Sequence, residues 1–126
     1  MSLRAIRDVY DVSQAIAPRA ITATITGTAV DLANCNDCLI AVLPGVWTDG
    51  THTPSLTDSD DNTTYAAVAA ADLVGAFAAI TATGTAVQKV SYIGSKRYIK
   101  PVWTVATGTT GMLAAVEVLT KTRKQP

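Results

Sequence analysis

The chain has 126 residues, 48% of them hydrophobic and 16% charged, with ten basic and ten acidic side chains. That is chain enough for one core and too little for two, and apolar enough to fold rather than stay disordered. The charge balance excludes a long-range basic field for nucleic acid or an anionic membrane, and no stretch nears the roughly 20 apolar residues of a membrane helix.

The first residues lack the apolar run of a signal peptide, so synthesis in the cytoplasm is expected. Sparse surface charge leaves little repulsion between copies and favours association. Ala, Val and Thr dominate while aromatics make up 6%. Small and β-branched side chains suit closely packed sheets, whereas long helices want more Leu, Glu and Lys.

Residues 1–18 mix Arg4, Arg7, Asp8 and Asp11 with Leu3, Ile6, Val9, Tyr10 and Val12. The segment is too apolar for a plain solvated tail and too short for a core, so it is expected to be an N-terminal arm that wants a partner. Residues 19–120 are the expected β-sandwich domain and 121–126 a flexible basic tail. Within the domain, Ile21, Ala23 and Ile25 alternate with threonines as a half-buried strand. Residues 38–43 form a continuous apolar run stopped by Pro44-Gly45, expected to be a strand buried on both faces. Residues 47–64 carry the turn formers of a long loop, or of a strand near 53–57 between two turns.

The Ala-rich stretch 66–79 is the one segment with helical propensity, and Asp72 is placed to cap a short turn. A strand is expected over 86–93. Another over 97–105 puts Ile99, Trp103 and Val105 on one side and Tyr98, Lys100 and Thr104 on the other, with Pro101 implying an edge or a bulge. The Thr/Gly run 107–111 is expected to turn this strand into a hairpin with 112–120. The fold class that follows is mainly β, a single antiparallel β-sandwich, jelly-roll-like, with at most one short helix.

Little here has the makings of a reaction centre. His52 stands alone in a polar loop with no partner readable from spacing, so it is expected at the surface. Cys35 and Cys38 make a CxxC, but a zinc site needs two further ligands and only His52 is at hand. Redox catalysis wants a helix N-terminus after the first cysteine, where an apolar strand follows. Cys38 is therefore expected in the core and Cys35 in a loop, a short disulfide being the alternative. Asp58, Asp60 and Asn62 have the spacing that opens a calcium loop, but Thr63 and Ala69 occupy the positions of its required Gly and Glu. Lys96, Arg97 and Lys100 with Tyr92, Tyr98 and Trp103 resemble a single-strand-binding patch, yet are more simply an edge strand guarded by charge. No enzyme activity, cofactor or metal is expected.

Two segments carry a family likeness. Residues 49–62, above all Ser55-Leu56-Thr57-Asp58-Ser59-Asp60-Asp61-Asn62, and the run Val90-Ser91-Tyr92-Ile93-Gly94-Ser95-Lys96-Arg97-Tyr98-Ile99 resemble small proteins encoded in the head-structure modules of tailed phages and prophages. In that family a YxGxKRY element precedes a strand, a Thr/Gly turn and a final Ala/Val strand, as residues 103–119 do here. The usual Gly-Pro-containing tail is replaced by Thr120-Lys121-Thr122-Arg123-Lys124. The likeness spans most of the chain from Ala15 onward. It implies a virion structural protein of the capsid cement or decoration type, homo-oligomeric, with a jelly-roll-like sandwich bound to the outer capsid surface. Its partner would be the phage major capsid protein, with neither nucleic acid nor membrane involved. Leu3, Ile6, Arg7, Val9, Tyr10 and Val12 of the arm are the expected capsid-binding residues. The alternatives are another head or tail component, such as a connector or head fibre base, or a carbohydrate-binding module using Trp47 and Tyr65.

Overall fold

The computed structural model describes residues 10–122. In chain order it contains β1 (Tyr10–Ile21), β2 (Ile25–Thr26), β3 (Val30–Asp31), β4 (Cys35–Trp47), β5 (Thr51–Ser59) and β6 (Ala66–Ala67). A 3-10 turn (Ala70–Asp72), β7 (Leu73–Val74), β8 (Gln88–Tyr92), β9 (Tyr98–Ala106) and β10 (Met112–Thr122) complete it. These strands make two antiparallel sheets. Sheet A has the order β1-β10-β4-β8-β7 and sheet B the order β2-β9-β5-β6, with β3 also pairing β9. The chain is thus mainly β, in the antiparallel two-sheet class that its turn spacing implies.

Pairing is nested along the chain: β1 with β10, β2 and β3 with β9, β4 with β8, and β5 with β6. Period-two alternation then decides which side chains meet between the sheets. Ile40, Val42, Val90, Val116 and Val118 come from sheet A and Leu56, Ile99 and Trp103 from sheet B, all buried. Each such aliphatic side chain contributes about 1.5–3 kcal/mol by leaving water.

Several expectations give way to tertiary context. The N-terminal arm does not extend to residue 18, because Tyr10 to Ile21 pair along β10 and deliver Ala15, Ile16 and Ile21 to the core. Of the basic tail, Lys121 and Thr122 belong to β10. Ala23 is exposed rather than inward, since the chain leaves sheet A at Ile21 and joins sheet B only at Ile25. The β4 run is buried throughout on its inner face and only in part on the other, where Ala41 is buried and Leu39 and Leu43 are half-buried.

The Ala-rich stretch forms no α-helix: it holds the short strands β6 and β7 and, between them, the 3-10 turn, whose N-cap Ala69 makes no side-chain hydrogen bond. High propensity without an apolar face to bury does not hold a helix. Strands β9 and β10 are no hairpin. They lie in different sheets, and the carboxylate of Asp49 fixes the corner between them by accepting from the N–H groups of Thr109, Thr110 and Gly111. Pro101 is neither on an edge strand nor at a bulge: it pairs with Leu56 inside sheet B. Its carbonyl accepts from Gly27 N–H at 2.7 Å. A strand residue's N and O point the same way, so the missing proline N–H faces the break between β2 and β3, where no ladder bond needs it.

Candidate docking face

The two sheets present opposite chemistry to solvent. On sheet B, cross-strand register aligns Thr53 with Thr104, Ser55 with Val102 and Thr57 with Lys100 on the outer face, which is hydroxyl-rich. Sheet A is different. Among the described residues, the large hydrophobics standing exposed are Val12, Val46, Val74, Val87, Ile93 and Leu113, at 51% to 60%. Val12, Leu119 and Leu39 are partners in register across β1, β10 and β4, followed by Ser91 of β8 and Val74 of β7. This row crosses all five strands on one face. Leu113 and Val46 extend the same face at its far end, where Val46 adjoins the inward-packed Trp47. Val87 and Ile93 flank β8 in phase with its outward Lys89 and Ser91.

Two grooves mark the ends of the face. One, about 460 Å3, is lined by Pro18, Arg19, Leu43, Gly45 and Leu113 with Ala114 and Ala115. The other, about 400 Å3, includes Tyr10, Leu39, Val74, Ile93 and Leu119. Between them Gln14, Glu117 and Lys89 stand in one register row with the buried Ala41. The arrangement suits contact with a surface that is apolar at two places and carries charge between them.

Beside this face lies the YxGxKR segment, which carries the chain from β8 in sheet A to β9 in sheet B. Tyr92 donates its phenol proton to Asp58 at 2.8 Å and its oxygen accepts the Lys96 N–H. Burial and the Asp58 carboxylate together push the Tyr92 phenol well above its usual range. The phenol ring lies so close over Gly94 that a Cβ there would meet its oxygen at 2.5 Å. Lys96 pairs with Asp60 at 2.7 Å, and Arg97 pairs side-on with both oxygens of Asp31 at 2.9 Å. The motif is thereby a clip between sheets: the glycine admits the ring, and the cations tie its exit to β3 and to the turn after β5.

The other sequence candidates disperse. His52 is not at the surface but fully buried in β5, where Trp103 Nε1–H donates to its Nδ1 at 2.7 Å. A tryptophan N–H only donates, so Nδ1 is the acceptor and Nε2 carries the proton that meets the Asp49 carbonyl at 2.9 Å. Polar neighbours on both sides in sequence disguised this; the inward parity shared with Pro54 and Leu56 was the signal that could have found it. Asp58, Asp60 and Asn62 turn to separate partners, accepting from the Tyr92 phenol, the Lys96 ammonium and the Tyr65 phenol in turn. Arg97 lies over Tyr98 at 5.0 Å and Lys100 over Tyr65 at 4.4 Å, while Trp103 is interior and Tyr92 is buried in the clip, so two of the three aromatic rings of that patch are withdrawn from solvent. Nor is β9 an edge strand: it runs between β2 and β5.

Trp47 packs against the core and donates its Nε1–H to Gly50 at 2.8 Å, which leaves its ring a poor sugar platform. Cys38 is buried as expected; Cys35 opens β4 instead of lying in a loop, and both are free thiols. Of the expected capsid-binding residues, Leu3, Ile6, Arg7 and Val9 lie outside the described residues. Tyr10 and Val12 belong to β1, with Val12 59% exposed on the apolar face. No protein-family model matches the chain, and no curated protein matches it in sequence.

Proposed function

We propose that the protein is a structural virion component, a capsid cement or decoration protein that binds the outer surface of a major-capsid-protein shell. The observation that carries this reading is the one-sided exposure of sheet A, an apolar face of five strands backed by a rigid core. The chemistry-bearing side chains support it by where they are spent: His52 inside the core, the aspartates in turns and clips. Nested strand pairing supports the jelly-roll-like arrangement that the resemblance implies. Cementing requires only a stiff body with a complementary face, repeated in many copies across subunit boundaries.

The test is sedimentation of the purified protein with undecorated shells of its cognate phage. Saturation at many copies over the shell is expected. Saturation at a few copies on one vertex would make it a connector or fibre base, and no binding would sink the reading.

A further inference from the structure

A β-bulge brings the two cysteines to the same side of sheet A. Residues of β4 and β10 pair one to one down to Lys121 with Asp37, and the next pair is Thr122 with Cys35, so Asn36 is an extra residue. An uninterrupted strand sends residues three apart to opposite faces. The extra residue resets the alternation, and Cys35 stands two ladder steps from Cys38, whose partner is Thr120. Two strand rises are ~6.7 Å. That lies at the upper end of the Cα separations, up to ~6.8 Å, that a disulfide spans. Both cysteines also line one cleft of about 520 Å3, together with Tyr92, Gly94, Lys96 and Arg97 of the clip.

We propose that Cys35 and Cys38 are a dithiol that closes to an intrachain disulfide by exchange with a low-molecular-weight disulfide such as oxidised glutathione. Cys35, the more exposed thiol, attacks as thiolate, displacing one glutathione thiolate and forming a mixed disulfide. Cys38 then attacks Cys35 Sγ and expels the second glutathione thiolate. The chain gives up two electrons, and the two protein protons end on the two glutathione thiols. Burial, with Cys35 adding to it, pushes the Cys38 thiol up to about 12, which makes the second step the slow one. With no helix N-terminus to stabilise a thiolate, the pair acts as a lock on the bulge beside the clip and not as an exchange catalyst.

The full-length protein, reduced and then exposed to oxidised glutathione under native conditions, is read by intact mass and thiol titration. Expected is the loss of about 2 Da with both thiols consumed in a single chain, reversed by dithiothreitol. Cys38→Ser, or Cys38→Ala if serine unfolds the buried site, should stop at a stable mixed disulfide on Cys35. A wild-type chain that stops at the mixed disulfide, cross-links to a second copy or keeps both thiols overturns the proposal.

Discussion

His52 and Trp103 are a polar pair on the inner face of sheet B, each satisfying the other where water does not reach. Truncating His52 to alanine strips the indole N–H of its acceptor and opens a cavity, so His52→Ala should lose about 2–4 kcal/mol in urea unfolding. A loss under about 1 kcal/mol would mean that the pair is dispensable. The acidic side chains set a second residue-scale expectation. The Arg97 guanidinium and the Ala33 N–H hold the Asp31 carboxyl at about 2, and N–H groups of the turn with the Ser59 hydroxyl hold Asp61 at about 2, both below the ordinary 3.8. Asp49 is lowered in the same direction by the N–H groups of Gly111, Thr109 and Thr110. A depressed folded-state value stabilises above the unfolded one and is lost as pH falls through the folded one. Melting temperature should therefore drop between about pH 4 and pH 2, and Asp31→Asn with Asp61→Asn should flatten that drop. An unchanged pH profile in the double variant would contradict it.

Among the elements, the corner before β10 depends on Gly111, which combines φ +77° with a site where a Cβ would collide with the Ile21 carbonyl. Gly84 shares the positive φ at +85° but has nothing within 4 Å. Gly111→Ala should therefore cost clearly more stability than Gly84→Ala, about 2 kcal/mol or more against about 1. Equal effects would remove the steric argument. Strand existence was legible in β9, where Ile99 and Trp103 alternate inward, but not over 20–26, where strict alternation spans the gap between β1 and β2. Partnership was not legible. The Thr/Gly run 107–111 looks like a hairpin turn locally, and only the distant Asp49 carboxylate makes it a corner between sheets. Residues 10–18 were misread because Ala15 and Ile16 are inward at a bulge, where register shifts and alternation fails. The apolar outer face was hidden too: Val12, Leu119, Leu39 and Val74 lie far apart in sequence and become a row only by register.

At the scale of the whole molecule, β1 belongs to the body and the proposed docking surface lies on sheet A. Deleting residues 1–17 should destabilise or unfold the domain, because Ala15 and Ile16 leave the core and β10 loses a partner strand. A truncation that melts like the full chain would return β1 to the role of an arm. Binding of a shell through the apolar face, as proposed, is tested by placing paired lysines on each sheet. Val12→Lys with Leu113→Lys alters the outer face of sheet A, and Thr53→Lys with Thr104→Lys adds the same charge to sheet B. Both variants should fold within about 0.5 kcal/mol per substitution of wild type, since all four sites are exposed. In co-sedimentation with cognate shells, the sheet A variant should bind at least tenfold more weakly, about 1.4 kcal/mol, while the sheet B variant binds as wild type does. The reverse pattern, or equal binding by both, would contradict the claim.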